Sequence, residues 1–119
     1  MRNLSLVISP VYIRAILGNK KTQLRLIKDR PIEYRAGDNI CVEELNNGWC
    51  VARVRLHVYK VRQQSLQTMT EHEVIAEGFD NLHKFRRMWD SIYNRHDMGW
   101  DTNPIVQVLE FDKESLGDK

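Results

Sequence analysis

The longest regular pattern in the chain is an alternation of apolar and polar residues between Cys50 and Tyr59. Even positions are apolar and odd positions are polar or aromatic: Ala52, Val54, Leu56 and Val58 alternate with Arg53, Arg55, His57 and Tyr59. A period of two residues is typical of a β-strand with one buried face. This segment is therefore expected to be a strand whose arginines lie on the face opposite the core.

A hairpin is expected just before this strand. The Gly37-Asp38 turn leads into a strand that ends at Leu45, and Asn46-Asn47-Gly48 has the composition of a three-residue hairpin loop. This register predicts that Leu45 faces Trp49, with Gly48 in the left-handed conformation.

The two cysteines flank the same loop. In the expected register Cys41 and Cys50 point to opposite faces and lie several residues out of step, which is too far for a disulfide. The sequence therefore predicts two reduced thiols in a reducing compartment.

Apolar residues at helical spacing mark the last third of the chain. Asp80 precedes them and is the expected N-cap, while Asn103-Pro104 ends the following aromatic loop and begins an extended segment. A buried strand is expected over 105–111. The apolar stripe of the helix consists of Leu82, Phe85, Met88, Trp89, Ile92 and Tyr93.

Two shorter helices are expected nearer the N-terminus. Ser9-Pro10 is a favourable start for a helix that ends at Gly18-Asn19. Thr70 and Glu73 have the spacing of a capping box for a helix over 71–76. Strands or extended segments are expected over 4–8 and 22–27, and a loop over 28–37.

Together these elements predict an α+β fold, a small mixed β-barrel of five or six strands with two or three peripheral helices. A length of 119 residues fits a single domain, expected over 1–111 and followed by a polar tail over 112–119. No apolar run approaches the ~18 residues of a membrane span. The N-terminus has no signal-peptide pattern, so a cytoplasmic location is expected.

Charge is unevenly distributed along the chain. The first 35 residues contain eight lysines or arginines and two acids, a balance of +6, whereas the remainder carries −4 because the total is +2. Such asymmetry fits either an anionic partner or a solvated basic surface. The histidines and cysteines have no metal-ligand spacing, and there is no glycine-rich phosphate loop, so no metal and no cofactor are expected.

Several motifs resemble those of ASCH domains, which are small PUA-like β-barrels that phages and prophages often encode. They are the run Ile16-Leu17-Gly18-Asn19-Lys20-Lys21-Thr22, the Gly37-Asp38 turn, Glu77 before the last helix, and the Trp100-Asp101-Thr102-Asn103-Pro104 loop with its final strand. The resemblance covers nearly the whole chain except 60–69. It implies a phage-type small ASCH protein with a PUA-like fold.

The resemblance also implies a nucleic-acid function. A cleft between Glu77 and the segment that carries Lys20, Lys21 and Arg25 would hold RNA or a modified nucleoside, with the cations on phosphates. Some ASCH proteins remove the acetyl group from N-acetylated cytidine by means of a lysine, a threonine and a glutamate. Lys21 and Glu77 match two of these residues, whereas Leu24 occupies the position of the family threonine and Thr22, two residues earlier, could stand in for it.

A second surface could also contact nucleic acid. The expected face of Arg53, Arg55 and Tyr59 combines guanidinium groups for phosphates with a ring that could stack on a base. It could equally be a solvent-facing strand whose arginines pair with Glu43 across the hairpin. The basic side of the last helix, with Lys84, Arg86 and Arg87, has the same two interpretations.

Three functions therefore remain open. The first is an RNA- or nucleotide-binding PUA-like module with a basic cleft. The second is a hydrolase in the same cleft, acting on N-acetylated cytidine or as a ribonuclease. The third is a phage-encoded protein that binds a host factor through an exposed loop at Met98-Gly99-Trp100.

Overall fold

Five strands and three helices account for most of the chain in the computed structural model, which describes residues 2–27, 33–93 and 97–115. Short 3-10 turns at Leu66–Thr68 and Trp100–Thr102 complete the backbone. In chain order the elements are β1 (Asn3–Val7), α1 (Pro10–Leu17), β2 (Gln23–Ile27), β3 (Asn39–Asn46), β4 (Trp49–Ser65), α2 (Glu71–Ala76), α3 (Leu82–Tyr93) and β5 (Ile105–Ser115).

The strands form one mixed sheet in the order β1-β3-β4-β5-β2. Strand β1 is parallel to β3, and the other neighbouring pairs are antiparallel. This arrangement confirms the α+β fold, but the expected barrel is not closed: across the described residues β1 and β2 are the two edges of the sheet. The gap between these edges borders the cavity described below.

The helix caps follow the sequence signals at two of the three helices. The hydroxyl of Ser9 accepts a hydrogen bond from Val11 N at the start of α1. Thr70 and Glu73 form the expected capping box of α2. At α3 the expected cap was wrong, because Asn81 Oδ1 accepts from Lys84 N, whereas Asp80 forms an ion pair with the Lys84 side chain.

The β3–β4 register differs from the expected one by one residue at the turn and by two residues beyond a bulge, where Val42 pairs with Val54. Asn46 pairs with Trp49, so the turn is the two-residue Asn47-Gly48, with φ of +52° and +84°. Positive φ at both central residues is the geometry of a type I′ turn, whose twist matches that of the strands. Leu45 consequently pairs with Cys50, and both Cys41 and Cys50 are free.

Strand β4 is longer than its alternating segment because a bulge restores the pattern. The pairing with β5 shifts between Val58 and Lys60, which leaves Tyr59 as the additional residue. From Val54 to Val58 the odd positions face outward, and after this bulge the even positions do, since β5 itself is regular. The polar face of β4 therefore continues through Arg55, His57, Lys60, Arg62 and Gln64.

The sheet has a hydrophobic core on each side. On one side, α1 contributes Ile13 and Ile16 to a cluster that includes Leu24, Val42, Val54, Leu56 and Leu109. On the other side, α2 and α3 cover Val106 and Val108, and the cluster also includes Val74, Phe85, Trp89 and Trp100. Phe79 packs against both clusters, with its ring in edge contact with Tyr12 and Phe85.

The C-terminal strand extends beyond its expected end. Strand β5 continues to Ser115 and pairs there with Val54, so residues 112–115 are in a strand and are not a frayed tail. Residues 116–119, like the first half (28–32) of the expected loop over 28–37, lie outside the described residues. Among the described helices, none combines the length and the apolar character required to cross a membrane.

Candidate functional site

A buried ionic cluster lies at the junction of α1, β2 and α2. Helix α2 supplies Glu73, and Glu77 follows at its C-cap, four residues on and hence on the same side of the helix. The side chains of Lys21 and Glu77 are 0% and 1% exposed, and the Lys21 ammonium donates to Glu77 Oε1. Lys21 Nζ also donates to the Glu77 carbonyl at 3.3 Å, so it contacts both ends of this residue.

Arg25 occupies the centre of the cluster. Its Nη1 donates to Glu77 Oε2 and its Nη2 donates to Glu73 Oε2, both at 2.9 Å. Nη1 also donates to Gln23 Oε1 and Nε donates to Gln64 Oε1, both at 3.0 Å. A guanidinium with four oxygen partners and a fully buried side chain has a fixed orientation.

The cluster continues onto β4 and β5. Arg62 donates to Glu73 Oε2, and its Nε lies 3.7 Å from Glu110 Oε2. Gln64 Nε2 also donates to Glu73. Three cations (Lys21, Arg25 and Arg62) thus contact three carboxylates (Glu73, Glu77 and Glu110), so the cluster has a formal charge of zero.

Burial and ion pairing shift the pKa values of the cluster in different directions. Burial lowers the pKa of Lys21, although the charge of Glu77 opposes the shift. Burial would raise the pKa of Glu73, but hydrogen bonds from Thr70, Arg62 and Gln64 outweigh it and lower the pKa to about 2. Burial also raises the pKa of the Tyr12 hydroxyl. The centroid of the Tyr12 ring lies 4.2 Å from Lys21 Nζ.

A cavity of about 300 Å³ opens beside the cluster, between the two edges of the sheet. Its walls come from both edge strands, from the start of α1 and from the end of α3. The apolar lining is Leu6, Val7, Ile8, Leu24, Leu26 and Ile92, and the remaining lining is Ser9, Tyr12, Arg25 and Tyr93. Arg25 therefore belongs to both the ionic cluster and the cavity wall.

The structure brings together some of the residues expected in the cleft and separates others. Glu77 contacts both Lys21 and Arg25, so ion pairs are found where an open cleft was expected. Lys20 is exposed, and Thr22 is also exposed, with its backbone N–H bonded to Ala76 O at 2.7 Å.

Position 24 lies where the resemblance places a hydroxyl, but here it is apolar. Leu24 is 1% exposed and lines the cavity. Because Lys21 and Thr22 are adjacent residues with opposite burial, the threonine hydroxyl and the buried ammonium do not share an environment.

The second expected surface is interrupted by bulges and ion pairs. Arg53 is the additional residue where the β3–β4 register shifts, and it lies 3.4 Å from Glu44, not from Glu43 as expected. Arg55 Nη1 donates to Glu114 Oε1 at 3.0 Å. Tyr59 is at the second bulge and is 57% exposed.

The cluster also contains residues that sequence reasoning missed. Glu73 was interpreted only as a cap, and Arg62 and Gln64 lie in the segment where no motif was recognised. The four-residue spacing of Glu73 and Glu77 was a usable signal, because it places two carboxylates on one side of α2. The long-range partners had no local signal. Within the described residues, no group of histidine, cysteine, aspartate and glutamate side chains could hold a metal ion.

Comparisons with known proteins show similarity at the level of structure. No protein-family model and no curated protein matches the sequence. The ASCH domain from Lactobacillus crispatus JV V101 superposes with a TM-score of 0.76 at 11% identity, covering 96% of this chain and 80% of the other. A hypothetical protein, PH0355, gives 0.69 at 14% identity, covering 94% and 99%.

A third solved structure, ASCH from Zymomonas mobilis, gives a TM-score of 0.60 at 12% identity, covering 91% of this chain and 65% of the other. Identities this low carry information about the fold and not about the chemistry of the site. The chain therefore shares its fold with solved ASCH-domain structures.

Proposed function

We propose that this chain is an RNA- or nucleotide-binding module of the ASCH, PUA-like type, and that its cavity holds a base. The observation that supports this most directly is the cavity itself, which has about 300 Å³ and lies where the sheet is open. Small-molecule pockets begin at about that volume and combine apolar walls with a few polar groups. The fold shared with ASCH-domain proteins agrees with this proposal.

The walls suit an aromatic, uncharged group. Leu24 and Leu26 provide apolar surface, and Tyr12 and Tyr93 provide rings that could stack on a base. The cluster behind Arg25 has no net formal charge, so it offers little attraction to a phosphate. We infer that the base enters the cavity and the phosphates stay outside.

In this proposal, exposed lysine and arginine side chains outside the cavity contact the phosphates. Lys21 and Arg25 are buried and paired with carboxylates, so breaking those pairs would be costly. Lys20 is exposed, and Arg53 and Arg55 have only surface ion pairs, which contribute ~0–1 kcal/mol each. These three residues, with Tyr59 as a stacking ring, are the proposed RNA contacts outside the cavity.

Titration of labelled single-stranded RNA at two salt concentrations tests this proposal. We expect affinity to fall with salt because exposed cations release counterions from phosphates. We also expect binding of the corresponding free nucleosides to depend little on salt. If neither RNA nor any nucleoside binds, the proposal is wrong.

A hydrolase is a second candidate, favoured by one observation. Lys21 has a lowered pKa and contacts Glu77, and perturbed titrating pairs are common in catalytic sites. Against it, Leu24 offers no hydroxyl to the cavity and Thr22 is exposed. Release of cytidine from N-acetylcytidine by the purified protein, abolished in a folded Glu77→Gln variant, would establish the hydrolase in place of a pure binding module.

The host-factor hypothesis loses its expected anchor. Trp100 is 8% exposed, packs against the ring of Phe85 with centroids 6.4 Å apart, and belongs to the core under α3. Its backbone N–H also bonds to Asp90 Oδ1 at 2.8 Å. The Met98-Gly99-Trp100 loop is therefore not an exposed aromatic surface.

A further inference from the structure

The backbone N–H and C=O of Arg25 point away from β5, the one strand that pairs with β2 among the described residues. Phe111 N donates to Thr22 O, and these residues are opposite each other in the β2–β5 register that pairs Gln23 with Glu110. In an antiparallel pair, hydrogen-bonded and non-bonded positions alternate. The Thr22 C=O and the backbone groups of Leu24 and Leu26 therefore point toward β5, whereas Arg25 directs its N–H and C=O toward the open edge.

The backbone of Val7 points outward in the same way on the other edge. Asn39 N donates to Arg2 O and Ile8 N donates to Glu43 O, which fixes the even-numbered residues of β1 as those that bond to β3. Val7 is an odd-numbered residue and therefore alternates with those that bond to β3. Its N–H and C=O therefore face away from the sheet.

Both outward-facing residues line the cavity. Val7 and Arg25 are part of its wall. The strand registers direct their backbone groups away from β3 and β5, and among the described residues these groups make no backbone hydrogen bond outside the sheet ladders. The gap in the sheet is thus bordered on each side by one backbone donor next to one backbone acceptor. Such unpaired edge groups are available to a ligand with complementary groups.

We propose that the ligand of this cavity is a neutral nucleobase whose edge is recognised by the backbone N–H and C=O of Val7 and Arg25. This inference rests on the proposed function and specifies how the base is selected. Base edges carry adjacent donors and acceptors, which match what each wall presents. The side-chain donors of Arg25 remain engaged with Gln23, Gln64, Glu73 and Glu77.

A compact planar group fits better than an added peptide strand. An added strand would need several successive outward residues on each edge, but only one residue with outward groups on each edge lines the cavity. Ser9 at the start of α1 and Tyr93 at the end of α3 are part of its wall, and they limit the length of any extended chain. Tyr12 and Tyr93 could pack on the two sides of a flat ring.

Proline substitution on the β1 edge tests the backbone contact directly. Val7→Pro removes the outward N–H without removing a hydrogen bond of the sheet, and edge strands tolerate proline at such positions. Ser5→Pro is the matched control, because Ser5 also faces outward on β1 but does not line this cavity. Val7→Ala controls for the side chain.

The ligands for the test are the four common nucleosides and N-acetylcytidine, measured by calorimetry against wild type and the three variants. We expect at least one to bind wild type, about 5- to 10-fold weaker binding to Val7→Pro, and less than a twofold change for Ser5→Pro and Val7→Ala. Equal affinity of Val7→Pro and Ser5→Pro would overturn the backbone contact while leaving the proposed function intact. No binding of any nucleoside or RNA to wild type would overturn both.

Amide chemical shifts provide a measurement that does not depend on a substitution. On addition of the bound nucleoside to ¹⁵N-labelled wild type, the amides of Val7 and Arg25 should shift most. The equally outward-facing amides of Ser5 and Gln23 should shift little, because neither residue lines the cavity. Shifts confined to side-chain groups, or binding of an extended peptide in preference to every nucleoside, would contradict the proposal.

Discussion

Lys21 and Glu77 lie 56 residues apart in the sequence and form an ion pair in which both side chains are buried. The same carboxylate accepts a hydrogen bond from Arg25, so one glutamate compensates two buried cations. A charge in such surroundings is tolerated only while its partners remain. Glu77 thereby joins the end of α2 to β2 and to the segment after α1, and it holds Arg25 where that residue borders the cavity.

Removal of the Glu77 charge should destabilise the fold. Glu77→Gln leaves Lys21 and Arg25 with less compensation, and breaking a buried pair costs about 3–5 kcal/mol. The neutral amide retains part of the hydrogen bonding, so we expect a loss near the lower end of this range. Urea unfolding followed by circular dichroism measures it.

The matched control for this prediction is Glu71→Gln in the same helix. Glu71 is exposed and lies in the first turn of α2. Its charge therefore contributes about 0.3–1 kcal/mol through the helix dipole. Equal loss of stability in the two variants would show that the buried pair does not stabilise the protein.

Stability should fall in acid because of Glu73. Its folded-state pKa is about 2, compared with an ordinary value of 4.5. A lowered carboxyl pKa stabilises the folded state above pH 4.5, and this contribution is lost as the pH falls from 4.5 to about 2. The difference corresponds to about 3 kcal/mol.

The Glu73→Gln variant provides the comparison. It should unfold at lower urea concentration than wild type at pH 7, and the gap between the two should narrow between pH 4.5 and 2.5. A constant gap across this range would mean that protonation of Glu73 is not linked to unfolding.

Gly78 should be sensitive to substitution for two separable reasons. It adopts φ +97°, and a Cβ at this position would lie 3.3 Å from Ala15 Cβ. Gly37 has nearly the same φ, +96°, but a Cβ there meets nothing within 4 Å. Gly37→Ala therefore measures the backbone strain alone, at about 1–2 kcal/mol.

Gly78→Ala should cost more than Gly37→Ala, because α1 must also move away from the junction that follows α2. Thermal unfolding of both variants, compared with wild type, measures this difference. If the two substitutions cost the same, the close approach of Ala15 to Gly78 contributes nothing to stability.

The features that the sequence predicts correctly are those set by residues close together in the chain. The capping box of Thr70 and Glu73 and the Ser9-Pro10 helix start are local, and both were predicted correctly. The β3–β4 register was one residue off at the turn, because Asn46-Asn47-Gly48 permits both a three-residue loop and a two-residue turn. Only the pairing further along the strands, with its bulge at Arg53, distinguishes them.

The candidate site shows the same limit. The resemblance placed Lys21 and Glu77 at the border of one cleft, but the sequence gives no local sign that they would form a buried ion pair. Burial depends on Arg25, Arg62 and Gln64, which come from β2 and β4. Because three cations contact three carboxylates, the cluster is neutral. Lys21 and Arg25, which were expected to bind phosphate, instead lie buried beside the cavity, and Arg25 forms part of its wall.

RNA binding, if it uses the outer face of β4, should depend on Arg53 and Arg55. Their ion pairs with Glu44 and Glu114 are at the surface, with the arginine side chains 40% and 43% exposed, so exchange of a carboxylate for a phosphate has a small cost. Replacing both by glutamine should remove two phosphate contacts. The slope of log affinity against log salt for single-stranded RNA should then become shallower by about 1.4.

Arg86→Gln is the control, because Arg86 is 45% exposed and has its own surface ion pair with Asp101 at 3.5 Å, but it lies on α3. Its salt slope should match that of wild type. Nucleoside binding in the cavity should be the same in all three proteins, because neither Arg53 nor Arg55 lines it. An unchanged salt slope in the double variant would exclude this face of β4 from the RNA contact and leave Lys20 as the remaining proposed cation.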